Sequence, residues 1–194
     1  SHCPDPGTPL EETMAALATA VRQGKALYVG LSKYPLKRLK RAVRLLAELG
    51  TPCLIYQPPY SILDRWPESK GIHEWLDEKG IGSIVFSPLA QGMLTGKYLD
   101  GIPGGSRAGR PEGFLQTAQV EEQQERLRQL GDLAADAGMP LHHLALRWVL
   151  QWKGVTSSLI IARTVAQLDD SLDALHRPLL EKDLLARIDE IAPA

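Results

Sequence analysis

Polar side chains stand directly after the short apolar runs of this sequence. After the four runs come Ser32, Gln57, Ser87 and the pair Arg163-Thr164. Hydroxyl, amide and guanidinium groups hold polar or anionic ligands through hydrogen bonds. An ordinary polar surface loop explains any one of these residues equally well. Their recurrence after successive apolar runs favours a binding site for a polar small molecule.

Metal and nucleotide motifs are not evident in the sequence. No HExxH pattern is present, and the adjacent His142 and His143 are expected to diverge by about 100° on a helix, so we predict no metal site. The stretch from Gly92 to Lys97 is one residue too short for a phosphate-binding P-loop, and Tyr98 replaces its hydroxyl residue. No GxGxxG turn follows an apolar run either.

The composition narrows the function classes. The chain has 194 residues, with 22 Lys and Arg against 23 Asp and Glu, so no strong overall charge attracts nucleic acid or a membrane surface. Two cysteines, Cys3 and Cys53, give neither a disulfide framework nor a CxxC motif. No apolar run approaches the roughly 18 residues of a membrane span. We therefore expect a cytoplasmic protein without a nucleic-acid or membrane partner.

Apolar strands and one-faced helices alternate along the chain. Thr8 as N-cap, with Pro9 and Glu11 after it, predicts a helix that ends near Gly24. Strands are predicted at 26–31, 53–56, 81–86 and 156–162, with helices between them and a long loop over 87–117. The first three strand centres lie 27 and 29 residues apart. This spacing is typical of parallel β/α units.

The alternation predicts an α/β fold with helices covering a parallel sheet, either open or part of a barrel. Only four full strands are evident, whereas a closed (β/α)8 barrel has eight strands and about 250 residues. Residues 1–194 are predicted to form one domain. Four strands without partners would leave open sheet edges, so we also expect self-association.

Several ordered blocks resemble the aldo-keto reductase family. The most specific is Phe86-Ser87-Pro88-Leu89-Ala90-Gln91-Gly92-Met93-Leu94-Thr95-Gly96-Lys97-Tyr98, and further blocks lie at 2–13, 24–32 and 57–61. The similarity is greatest to the branch with potassium-channel β subunits and bacterial glyceraldehyde 3-phosphate reductases. It implies the carboxyl-terminal half of a (β/α)8 TIM barrel, NADPH as cofactor, and reduction of small aldehydes or ketones.

The resemblance also implies roles for individual residues. His2 corresponds to the histidine of the family's Asp-Tyr-Lys-His catalytic tetrad. The segments with the other three members are expected to precede residue 1, so these 194 residues alone are not expected to supply the general acid. The implied NADPH-binding residues are Ser32, Gln57, Phe86, Ser87, Leu89, Gln91, Gly92, Lys97, Arg107, Arg163, Gln167 and Asp170.

These residues divide among the parts of the cofactor. Ser32 and Gln57 would meet the nicotinamide carboxamide, and Phe86 would lie against its ring. The loop from Ser87 to Gly92 would follow the pyrophosphate, with Lys97 and Arg107 on phosphates, and Gln167 and Asp170 on the adenine nucleotide.

The sequence departs from the family pattern at its last strand. Ile161-Ala162-Arg163-Thr164 stands where relatives have a Gly-Ala-Ser start, so NADH is not excluded as the cofactor. Arg163 is predicted to replace the lost contacts. A non-catalytic nucleotide-binding or regulatory module is the alternative function. The expected partners are a small carbonyl substrate and further copies of the chain.

Overall fold

The computed structural model describes residues 1–106, 108 and 115–194. They form two compact units. The first contains Ser1–Pro59, Trp66–Phe86 and Lys153–Ser157, and the second contains Tyr60–Arg65, Ser87–Trp152 and Ser158–Ala194. The single domain stays a prediction. No helix in the described ranges is both long and apolar enough to span a membrane.

The first unit is built from β/α repeats. Its elements are α1 (Leu10–Arg22), β1 (Val29–Ser32), α2 (Leu36–Glu48), β2 (Cys53–Gln57), α3 (Trp66–Ser69), α4 (Ile72–Lys79) and β3 (Gly82–Val85). β1 pairs with β2 and β2 with β3, both in parallel. A two-residue strand β4 (Ser157–Ser158) completes the order β1-β2-β3-β4. The structure thus confirms the predicted parallel α/β sheet.

The core of this unit lies where the helices cover the sheet. Leu31 and Tyr56 of the strands pack with Met14, Leu39 and Leu76 of the helices, and all five are at most 1% exposed. The Tyr56 hydroxyl donates a hydrogen bond of 2.8 Å to the buried backbone oxygen of Tyr34. The apolar stripes of the sequence are therefore the faces that the helices bury.

Three predicted boundaries were wrong. Pro9, not Thr8, is the N-cap of α1, and the Thr8 hydroxyl donates to Asp5 instead. β1 begins at Val29, because Leu27 and Tyr28 are 81% and 67% exposed. The predicted strand 156–162 is reduced to Ser157–Ser158.

The second unit is helical in its described part. It contains α5 (Thr117–Asp136), α6 (Leu141–Gln151), α7 (Val165–Asp173) and α8 (Lys182–Ile191), with 3₁₀ turns at Ala90–Thr95 and Ala174–His176. α6 is the central helix, since seven of its residues are buried. Arg65 is 9% exposed and bonds Asp189 at 2.6 Å and the backbone oxygen of Ala192 at 2.8 Å, which ties down the end of the chain.

Candidate functional site

His2 lies beside the carboxyl end of β1. It forms an isolated parallel bridge with Ser32. The Ser32 amide donates to the Ser1 oxygen at 2.8 Å, and the Cys3 amide donates to the Ser32 oxygen at 2.9 Å. These two bonds hold the backbone of His2 in strand geometry, while its side chain stays exposed. The residue that corresponds to the tetrad histidine is therefore fixed at the edge of the sheet where ligands bind in parallel α/β folds.

Ser32 and Gln57 are neighbours across the sheet. They are register partners at the ends of β1 and β2. Ser32 is 7% exposed, and its hydroxyl donates a 2.7 Å hydrogen bond to the backbone oxygen of Gln57. Because a hydroxyl has one proton and that proton is used here, Ser32 can offer a ligand only an acceptor. A donor at this place has to come from another group, such as the half-buried Gln57 side chain.

Phe86 follows β3 at the same sheet edge. Its amide donates to the Pro58 oxygen at 3.0 Å, and it bridges in parallel with Pro59. The Lys33 ammonium lies 5.6 Å from the centre of the Phe86 ring, a cation–π distance. Sequence reasoning did not single out Lys33. Its position directly after Ser32, at the carboxyl end of a strand, is the signal that could have found it.

The loop after Phe86 is a tight turn in an unusual backbone conformation. Ser87, Ala90, Gln91 and Gly92 all have positive φ angles, of 57°, 46°, 57° and 98°. The amides of Ala90 and Gly92 close the turn on the oxygens of Ser87 and Leu89, at 2.9 and 2.8 Å. Successive turns of this kind gather backbone N–H groups into a concave surface that binds anions.

Lys97 adds a positive charge to this turn. A Cβ built on Gly92 would meet the Lys97 Nζ at 2.9 Å, so the ammonium lies against the bare backbone of that glycine. The same ammonium lies 4.9 Å from the centre of the Tyr98 ring. The backbone amides that do not close the turn and the Lys97 ammonium are the donors that remain for phosphate oxygens. Arg107, the other predicted phosphate ligand, lies outside the described residues.

The start of α7 carries further predicted cofactor residues. The Thr164 hydroxyl caps the helix by accepting from the Gln167 amide at 3.2 Å. The Gln167 side-chain oxygen accepts from the Arg163 amide at 2.9 Å. These bonds fix the backbone of the segment, and the Arg163 side chain is exposed.

Asp170 lies one turn further along α7 and faces two histidines of α6. Its carboxylate oxygens lie 2.8 Å from the Nε2 atom of His142 and 3.2 Å from that of His143. Burial is the main cause that lowers the pKa of His142, and Asp170 opposes it. The expectation that the two rings diverge was wrong. The flexible side chains bring the ring centres to 4.5 Å from each other in a T-shaped arrangement. The contact of Asp170 with an adenine nucleotide stays a prediction.

Comparison with known proteins identifies the class to which this fold and site belong. The model of the aldo/keto reductase family matches residues 1–193. The chain is therefore a member of the aldo/keto reductase family, and its strands and helices are part of a TIM barrel.

Individual relatives agree with this assignment. The chain is 43% identical over 194 residues to the L-glyceraldehyde 3-phosphate reductases of Escherichia coli K12 and O157:H7, covering 98% of this chain and 56% of each relative. It is 32% identical to a Schizosaccharomyces pombe protein named for the voltage-gated potassium channel β subunit, covering 98% of this chain and 57% of that protein. The chain thus spans just over half the length of these curated relatives.

A solved structure shows the same fold. The crystal structure of the thermostable aldo-keto reductase Tm1743 with the inhibitor epalrestat superposes with a TM-score of 0.74 at 25% identity. The match covers 98% of this chain and 57% of the reductase.

Proposed function

We propose that these 194 residues supply the NADPH-binding part and the carbonyl-orienting histidine of a cytoplasmic reductase of small aldehydes and ketones. The observation that carries the proposal is the left-handed turn from Ser87 to Gly92 with the Lys97 ammonium against Gly92. This donor set fits a cofactor diphosphate, and family membership supports the choice of a nicotinamide dinucleotide. When bound, the cofactor supplies a hydride to the carbonyl carbon of the substrate.

Ser32, Gln57 and Phe86 would hold the nicotinamide end. A carboxamide has an NH₂ donor and an oxygen acceptor. The Ser32 oxygen accepts from the NH₂ because its own hydroxyl already donates to the backbone oxygen of Gln57, so the carboxamide oxygen is left for the Gln57 side chain. The Phe86 ring offers an apolar face for the nicotinamide ring, held in place by the backbone bond to Pro58.

The turn from Ser87 to Gly92 and Lys97 would hold the charged end. Backbone N–H groups of the turn and the Lys97 ammonium neutralise the diphosphate, which requires that no side chain fills the space at Gly92. The exposed Arg163 guanidinium, next to a helix start, is suited to the 2′-phosphate that distinguishes NADPH from NADH.

His2 would act on the substrate. Its imidazole offers a hydrogen bond to a carbonyl oxygen, and its fixed backbone beside β1 lets it orient the substrate without reorganisation. The substrate class is small aldehydes, and glyceraldehyde 3-phosphate is the compound to test first, given the relatives at 43% identity.

Cofactor titration tests the proposal. NADPH added to the chain is expected to show saturable binding by calorimetry, weakened about fivefold in Ser32→Ala, which removes one hydrogen bond worth about 1 kcal/mol. Ser69→Ala is the matched control, since its exposed hydroxyl bonds only locally, to the Trp66 oxygen at 3.2 Å. Equal weakening in the two variants would contradict the proposed carboxamide site.

A second assay separates the enzyme from a non-catalytic module. A barrel that contains this chain is expected to consume NADPH when glyceraldehyde 3-phosphate or a similar aldehyde is added. NADPH binding without turnover in that barrel would favour the regulatory module instead.

We also propose that the chain associates with further copies of itself. Leu27 and Tyr28, directly before β1, are exposed apolar residues beside a strand end. Sedimentation is expected to show oligomers, and a strictly monomeric 21.3 kDa species would rule this out.

A further inference from the structure

Two imidazoles and one carboxylate converge between α6 and α7. One ring nitrogen of His142, one ring nitrogen of His143 and a carboxylate oxygen of Asp170 all lie within 4.8 Å of one another. The side chains of His142 and His143 are only 16% and 3% exposed, and that of Asp170 is 56% exposed. The cluster is thus shielded on its histidine side and open to solvent on its carboxylate side.

We propose that His142, His143 and Asp170 bind a divalent transition-metal ion, with Zn²⁺ as the expected ion. Imidazole nitrogen and carboxylate oxygen are the usual non-sulfur ligands of Zn²⁺, and three protein ligands leave a fourth position for water. The site does not involve the sheet edge with His2 and Ser32, and it does not rest on the proposed reductase function.

The distances fit this coordination with small adjustments. Donor atoms bound tetrahedrally at about 2.0–2.2 Å from Zn²⁺ lie about 3.3–3.6 Å apart. The two nitrogen–oxygen separations are 2.8 Å to Oδ2 and 3.2 Å to Oδ1 of Asp170, so each is within 1 Å of the tetrahedral value. The separation between the ligand nitrogens of the two histidines is at most 4.8 Å.

One hydrogen bond has to be given up when the ion binds. His143 Nε2 lies 2.7 Å from the backbone oxygen of Asp170, which assigns a proton to that nitrogen in the metal-free chain. Because a neutral imidazole keeps one N–H, this proton moves to Nδ1 of His143 when the ion binds Nε2, and no net proton is released from His143. Burial favours the neutral form of His142, which is the form that binds a metal.

The ion would stabilise the attachment of α7. This helix has no buried residue of its own, so its contacts with α6 depend strongly on the Asp170 cluster. A metal bond from α7 to two residues in the first turn of α6 would restrict opening of the helix. The amides of α7 are therefore expected to exchange with solvent more slowly when the ion is bound.

Cobalt titration tests the site without any cofactor. Co²⁺ is used as a visible probe, with Zn²⁺ added afterwards as competitor. The chain is expected to bind one equivalent of Co²⁺, to release it to Zn²⁺, and to show slower hydrogen exchange in α7 with Zn²⁺. Asp170→Asn and His142→Ala are each expected to lower the affinity at least tenfold.

His176 provides the matched control. It is an exposed histidine whose Nδ1 lies 3.5 Å from the Asp173 carboxylate, so it has the same chemistry without the third ligand. His176→Ala is expected to keep the affinity of the unmodified chain, as is Cys3→Ser, which removes the exposed thiol.

Three results would overturn the proposal. They are no saturable Co²⁺ binding, undiminished binding in Asp170→Asn, and a cobalt–thiolate absorption band that disappears in Cys3→Ser. If Asp170→Asn or His142→Ala fails to fold, the exchange measurement on the unmodified chain decides, since unchanged exchange of α7 with Zn²⁺ contradicts the proposal. Because Asp170 is also the implied adenine contact, NADPH binding is measured on the metal-free chain. NADPH binding without metal binding would refute this site alone, and metal binding without NADPH binding to the metal-free chain would refute the reductase function alone.

Discussion

Substitution of Gly92 by alanine tests the phosphate-binding turn directly. Gly92 has a φ of 98°, which an L-residue adopts at a cost of about 1–2 kcal/mol. The new Cβ would also lie 2.9 Å from the Lys97 Nζ, so the ammonium has to move away from the turn. We therefore expect Gly92→Ala to lower both the stability of the chain and its affinity for NADPH.

The size of the affinity loss follows from the contact that is displaced. A hydrogen bond to a charged group contributes about 1.5–3 kcal/mol to the free energy of binding. Because Lys97 is exposed, we expect its bond to the diphosphate to contribute at the low end of that range. A loss of about 1.5 kcal/mol corresponds to roughly tenfold weaker binding. Calorimetric titration with NADPH measures this change, and Lys97→Met is expected to produce a loss of similar size.

Gly138 supplies the control for backbone strain. Its φ is 66°, and a Cβ there would meet no atom within 4 Å. Gly138→Ala is expected to lower the melting temperature as Gly92→Ala does, but to leave NADPH affinity unchanged. The reasoning is refuted if Gly92→Ala binds NADPH as tightly as the unmodified chain, or if Gly138→Ala loses affinity to the same extent.

Three further predictions concern stability and cofactor choice. Tyr56→Phe leaves the buried backbone oxygen of Tyr34 without its 2.8 Å hydrogen bond. The substitution is expected to lower the free energy of unfolding by about 1–3 kcal/mol, seen as a melting temperature lowered by several degrees. An unchanged melting temperature would contradict this prediction. Arg163→Ala is expected to weaken NADPH and not NADH, and equal effects on both in titration would remove Arg163 from the 2′-phosphate site. Burial lowers the pKa of His73 and His142, so the folded chain binds fewer protons than the unfolded chain. Urea unfolding is therefore expected to show that the free energy of unfolding falls as the pH decreases from 7 to about 5. A constant or rising free energy of unfolding would contradict this prediction.

Much of the first unit could be predicted because its signals are local. The apolar residues of α2 follow helical periodicity, and Gly24 has a positive φ angle where the first helix was predicted to end. Ser32 and Gln57 were predicted at strand ends, and the register of β1 and β2 makes them neighbours. A parallel sheet brings the carboxyl ends of its strands together, so strand order alone was sufficient to predict that Ser32 and Gln57 lie close together.

Features that depend on tertiary contacts could not be predicted. Nothing in the sequence around Thr8 shows that its hydroxyl bonds Asp5 and leaves the cap to Pro9. The apolar run 156–162 looks like a long strand, but only two of its residues are assigned to β4.

The prediction that the rings of His142 and His143 diverge was wrong for a different reason. Helical geometry fixes the directions of the Cα–Cβ bonds of His142 and His143, but rotation about the side-chain bonds sets where the rings point. A carboxylate 27 residues away, on α7, attracts both rings. Only the packing of α7 on α6 reveals this contact.

Titration of the unmodified chain with NADPH tests the proposed cofactor site directly. We expect saturable binding that weakens about tenfold when Lys97 is replaced by methionine. Absence of NADPH binding by the folded chain, or binding that does not depend on Lys97, would contradict it.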